Sequence, residues 1–112
     1  MAVKANGKEW KEYYVRDWQK GWWHDDSVIT VDGKSDEDHP ELDVNNVADT
    51  AAVMLEGGCI MEEEGALVAK SMEAHFKAWR KAQSHTSFVV ECHKDAREAV
   101  EAAIKAAGGK VL

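Results

Sequence analysis

A single α+β domain is the fold this sequence predicts, and three observations carry that expectation. Ile60 to Gln83, IMEEEGALVAKSMEAHFKAWRKAQ, repeats its apolar residues at helical spacing. Ser27–Asp32 and Ser87–Cys92 are short strand-favouring runs. The chain of 112 residues with 45% apolar content fills one hydrophobic core and not two. The expected architecture is three or four helices on a small sheet, with strands near 28–32 and 87–92 and a third at 110–112. Residues 1–5 are expected as a flexible tail and 6–112 as the domain.

Asn6 and Glu9 stand three apart, the spacing of a capping box, so a helix is expected to begin there. Trp10, Tyr13, Tyr14 and Trp18 follow at steps that suit a short aromatic helix, which Gly21 ends before Trp22 and Trp23. Four of five tryptophans thus lie between residues 10 and 23. Their simplest role is to fill a small core, since each aromatic buries ~150–250 Å². A partner surface is the functional alternative, aromatics being the usual hot-spot residues. A nucleic-acid stacking platform is the weakest alternative, with Lys8, Lys11, Arg16 and Lys20 interleaved among the rings.

SVITVD, residues 27–32, reads as a strand ended by the turn pair Asp32-Gly33, and a polar loop carries on to Glu41 through Pro40. Asp43 is then the expected cap of a helix over 44–56, whose Val44, Val47, Ala48, Ala51, Met54 and Leu55 keep helical spacing before Gly57-Gly58. The next helix, over 60–83, turns Val68, Met72, Phe76 and Trp79 inward, with Gly65 as its weak point. SFVVEC, residues 87–92, has three consecutive apolar residues, the pattern of a strand buried on both faces. Asp95 and Glu98 fit a second capping box, and the last helix is expected to turn Val100 and Ile104 inward and stop at Gly108-Gly109. Phe88, Val90, Val100 and Ile104 therefore join the expected core.

Charge is distributed in blocks. Residues 25–64 hold one basic and thirteen acidic side chains, between two mildly basic flanks, within a net charge of −7. That balance argues against direct nucleic-acid binding, which needs clustered Lys and Arg. No apolar run reaches the roughly 18 residues of a membrane helix, and MAVKANGKEW lacks the apolar segment of a signal peptide, so a cytoplasmic protein away from membranes is expected. Cys59 and Cys92 have no motif spacing and are expected as free thiols, a single bridge between them being the alternative.

Candidate chemistry is sparse. His24, Asp25, Asp26 and His39 could approach a divalent ion from the two ends of one strand, yet they match no metal spacing. Cys92-His93 with His85 holds nucleophile and base types, but neighbours on a strand face opposite ways. No Gly-rich phosphate loop, dinucleotide fingerprint or serine elbow is present, and no cofactor or catalytic residue is implied. The leading expectation is a small acidic interaction module that binds, and inhibits or regulates, a larger basic or nucleic-acid-handling protein, a role that suits small phage or plasmid proteins. Its surface would comprise Trp10, Tyr13, Tyr14, Trp18, Trp22 and Trp23 with Asp36, Glu37 and Asp38. A metal-assisted hydrolase is the enzymatic alternative, and a homodimer or other homo-oligomer subunit the structural one.

Overall fold

The computed structural model describes residues 2–112. Its body is an antiparallel sheet with helices on one face. The elements run β1 (Val3–Asn6), α1 (Gly7–Lys11), a π-helical turn over Glu12–Asp17, β2 (Trp23–Val31), β3 (Lys34–Ser35), β4 (Ala52–Met61), β5 (Leu67–Ala69), α2 (Met72–Ser84), a 3₁₀ turn over Lys94–Ala96 and α3 (Arg97–Ala106). The strands lie in the order β1-β4-β2-β3, and β5 pairs with the far end of β4. Small α+β domain is thus correct as a class, but most of the sheet comes from segments other than those expected.

β4 is the centre of the sheet. It pairs along β2 from Trp23↔Met61 to Val31↔Val53, and on its other side with β1 and β5. Residues 52–56 alternate, with Val53 and Leu55 buried and Met54 half exposed beside exposed Ala52 and Glu56. The helix expected over 44–56 is therefore replaced by turns up to Thr50 and then by a strand. Asp43 caps no helix; its carboxylate accepts from the Asn45 amide in a short turn. The helical spacing was real but coincided with a period-two pattern, and β2 needs a partner of its own length. Gly57 and Gly58 do not end an element. They bend β4 at positive φ (70° and 91°) opposite the Asp25–Ser27 stretch of β2, where Asp26 is also at positive φ.

The long periodic stretch is also divided. Ile60 and Met61 end β4, and Glu62–Gly65 form a turn in which the Gly65 amide donates to the Glu62 carbonyl at 2.9 Å, with Gly65 at φ +92°. β5 returns along β4, and only then does Ser71 cap α2, accepting from the Ala74 amide at 3.1 Å. Gly65, the weak point of the expected helix, is where the chain reverses. At the front, Met1 of the expected tail lies outside the described residues, and Val3–Ala5 are no free tail: Val3 is buried in β1, and Asn6 caps α1 by accepting from Glu9 at 2.8 Å, as the capping-box spacing predicts.

The core joins the covered sheet face to α1 and α2: Val3, Ile29, Val31, Val53, Leu55 and Ile60 meet Trp10, Tyr13, Met72 and Phe76. Val68 and Trp79 are half-buried against it. Two links fasten α2 down. Glu9 receives both Nε and Nη2 of Arg80, at 2.9 and 2.7 Å, while Arg80 also donates to the Lys4 carbonyl and lies 4.8 Å over the Phe76 ring. Glu73 accepts from the Gly57 amide and so ties the first turn of α2 to the bend in β4.

Beyond His85 the order of the body stops. Residues 85–93 have no regular structure, so the expected strand over 87–92 does not form; Phe88 is 78% exposed, Val89 97% and Val90 47%. The reason is physical: a strand exists only beside another, and no strand of the body lies alongside these residues. No strand forms at 110–112 either. α3 ends as expected, with Gly108 at φ +93° and the Gly109 amide donating to the Ile104 carbonyl. Its start differs: Asp95 does not cap it, no side chain caps α3 at Ala96, and the His93 ring instead accepts the Asp95 amide at the start of the preceding 3₁₀ turn. None of its residues is buried, and Val100 and Ile104 are only half covered. The molecule accordingly measures 63 × 34 × 24 Å with a radius of gyration of 18.9 Å, against about 13 Å for a compact chain of this length. Among the described residues, no helix is long and apolar enough to cross a membrane.

Candidate interaction surface

The tryptophan-rich segment is mainly a structural bed. Trp10 and Tyr13 are fully buried, and Tyr14, Trp18 and Trp22 are half-buried against the core. Trp10 stacks on Tyr14 with ring centres 4.8 Å apart, and Tyr13 meets Phe76 edge-on at 4.7 Å and Trp79 at 5.3 Å. Three of the indole N–H groups are bonded within the chain, one of them part-buried and two at the surface. Trp10 Nε1 donates to the Val44 carbonyl at 2.9 Å, Trp79 Nε1 to Asp17 at 2.8 Å and Trp23 Nε1 to the Glu62 carbonyl at 2.8 Å. The widened π-helical turn lets rings from opposite sides of this short helix reach the same core. Six aromatics are therefore not one exposed surface. Trp23, 42% exposed at the start of β2, is the tryptophan of the set that faces solvent most, beside the Glu62–Glu64 turn.

Tyr13 Oη and His75 Nδ1 are 2.9 Å apart. Burial pushes the Tyr13 phenol up to about 12, so it stays protonated; the buried N–H of Trp18 leans toward it and offsets a little of that rise, without a well-formed hydrogen bond. His24 bonds to Ser27 Oγ, and Asp36 and Asp25 only partly counter the burial that lowers its pKa. Burial likewise lowers that of His75. Both imidazoles thus take up a proton less readily in the fold than in the unfolded chain, where they do so below about pH 6.5. The unfolded state then binds more protons, so this stability is present above that pH and lost as pH falls. The urea midpoint should fall between about pH 7.5 and pH 5.5, and fall less in His75→Gln. A midpoint that rises on acidification would contradict the burial of these rings.

The acidic candidates separate into two roles. Asp36 closes the end of β2, its amide donating to the Ile29 carbonyl at 2.8 Å and its carboxylate accepting from the Ile29 amide at 3.1 Å. Glu37 and Asp38 are exposed in the turn beyond β3, where Asp38 accepts from Ser35 Oγ. The metal candidates are not brought together. His24 is turned into the aromatic bed, Asp25 and Asp26 sit on the exposed bend, and His39 pairs with Glu41 at 3.1 Å. Among the described residues, no three His, Cys, Asp or Glu side chains are grouped to hold an ion. Cys59 and Cys92 are both free thiols, one half-buried in β4 and the other exposed.

Phe88 and Val90, expected in the core, lie instead on an exposed surface. Residues 85–112, the C-terminal arm, present Phe88, Val89, Val90, Val111 and Leu112 to solvent. From Thr86 to Glu91 the backbone forms no hydrogen bond with the described residues of the body. The signal was available: a continuous apolar run without alternation requires cover on two sides, and this chain has no spare layer to supply it. No family model, curated protein or solved structure matches this chain.

Proposed function

We propose that the protein is a binding module and not a catalyst, and that its binding element is the C-terminal arm. The exposed run Phe88–Val90 is the observation that carries this reading: monomeric proteins seldom leave contiguous large apolar side chains in water, and such patches mark interaction sites. An unpaired extended segment with strand-favouring side chains also suits strand addition, in which main-chain hydrogen bonds give affinity and alternate side chains give specificity. The acidic side chains of the body, Glu37, Asp38 and Glu62–Glu64 among them, have a secondary part. They would steer a basic partner, such as a nucleic-acid-handling protein that the arm binds and inhibits, toward the arm.

The test separates folding from binding. Phe88→Asp with Val89→Asp alters two exposed side chains, so the unfolding free energy should stay within about 0.5 kcal/mol of wild type. Stable complexes formed by the wild-type chain should be lost in the same variant. Retained complexes would overturn the arm as the binding element. Glu37→Gln with Asp38→Asn should instead slow association at low salt and leave the complex intact.

A further inference from the structure

The geometry points to a second binding site, a cavity of about 280 Å³ at the end of the π-helical turn that takes one small planar aromatic carboxylate. No residue of the arm lines it, so the inference stands apart from the reading above. Three half-buried rings form its apolar walls: Tyr14, Trp18 and Trp22. Trp18 meets Tyr14 at 4.7 Å and 72°, and Trp22 at 5.9 Å and 68°, so neighbouring walls stand steeply to one another. A flat guest lying along one ring then meets the next edge to face, and both are favoured aromatic contacts. One tight turn builds this corner. The Trp22 amide donates to the Gln19 carbonyl at 3.2 Å, and Gly21, at φ +90°, takes the third position, where a type II turn requires a positive φ. That reversal brings Trp18 and Trp22 together and sets Gln19 and Lys20 in the lining.

Polarity and charge choose the guest. Gln19, Lys20 and Asn45 also line the cavity, and their side chains form no hydrogen bond or ion pair among the described residues. Aromatic walls with a few convergent polar groups are the usual make-up of a small-molecule site. The volume lies just under the ~300–1,000 Å³ typical of ligand pockets, so the guest is a single ring or a fused pair. Among the described residues Lys20 is the one charged side chain of the lining, in a chain whose net charge is −7. An ammonium guest, which aromatic cages commonly hold, would face that lysine. A carboxylate instead gains a charge-assisted hydrogen bond from it, with the amide donors of Gln19 and Asn45 beside it. Two acidic side chains stand outside the lining. Glu63 lies against Gly21, and Asp36 acts on Tyr14, whose phenol pKa is raised by burial first and by that carboxylate second. They favour a guest with a single negative charge over a phosphate, for which the lining offers no second cation.

Indole N–H signals in a proton–nitrogen NMR spectrum, one for each of the five tryptophans, read out the site in the full-length protein. Naphthoate is the probe. The signals of Trp18 and Trp22 should shift and saturate with a dissociation constant of about 1 mM or below, ordinary for so small a ligand. Those of Trp10, Trp23 and Trp79 should stay in place. Naphthalenemethanol keeps the rings and drops the charge, and should bind up to about fivefold more weakly. Lys20 is exposed, so Lys20→Gln should fold as wild type does, and it should erase the difference between the two probes. No saturable shift at millimolar naphthoate, or shifts spread over all five signals, would overturn the site. A naphthyl ammonium that binds more tightly than naphthoate, or a preference for naphthoate that survives in Lys20→Gln, would overturn the carboxylate as its guest. Adenosine monophosphate that moves the same two signals at lower concentration would overturn it as well, in favour of a phosphate.

Discussion

Replacing Trp10 with alanine is expected to cost about 3–5 kcal/mol, the usual loss for truncating a fully buried Trp or Phe. Trp10 is completely inaccessible, stacks on Tyr14 and holds the Val44 carbonyl through its indole N–H. Truncation opens a cavity between α1 and the sheet and leaves that carbonyl without its donor. Since domains of this size have roughly 5–15 kcal/mol in total, the variant should be barely folded. Urea unfolding followed by circular dichroism measures the loss. Trp10→Phe should recover most of the packing and retain a deficit of about 1–2 kcal/mol from the missing hydrogen bond. A loss below about 1 kcal/mol in the alanine variant would mean that Trp10 is not in the core.

Gly7→Ala should be nearly as damaging, although it adds a single methyl group. A Cβ at Gly7 would lie 1.8 Å from the Ala48 carbonyl oxygen, and that neighbour is backbone, so no rotamer change relieves the overlap. The close approach is used: the Gly7 amide donates to the Ala51 carbonyl at 2.9 Å and the Lys8 amide to Asp49 at 3.1 Å. These bonds pin the loop before β4, with its buried Val47 and Ala51, against the start of α1. Overpacking usually costs 1–3 kcal/mol, and a clash between main chains should reach about 3 or more. An alanine variant as stable as wild type would show that the two segments are not in contact.

Local signals in the sequence were read well, and pairing was not. Asn6 with Glu9 marks α1, Met72 and Phe76 mark the inner face of α2, and Gly108 marks the end of α3; each depends on residues within one or two turns. β4 was invisible as a strand because Val44, Val47, Ala48, Ala51, Met54 and Leu55 satisfy a helical period, while Val53 and Leu55 satisfy a strand period as well. What decides between them is the unpaired edge of β2, a non-local fact. The same holds for SFVVEC, whose composition favours a strand but whose partner the body does not provide. The aromatic segment was legible as core for Trp10 and Tyr13. Their sharing of one core with Tyr14 and Trp18 depends on the π-helical widening over Glu12–Asp17, which no residue type announces. The candidate surface thus moved from residues 10–23 to 85–112 because burial is decided by what else is available to pack.

Amide hydrogen exchange of the full-length protein reports on the arm without any substitution. At concentrations where light scattering gives the protomer mass, amides of residues 86–92 should exchange at the rate of an unstructured peptide while those of β2 and β4 stay protected. As complexes form, protection should appear in 86–92 and deepen in α3, with no change in β4. Protection of 86–92 in the dilute protomer, equal to that of β4, would contradict the account: those residues would then be a strand of the body, and the arm would not be free to bind anything.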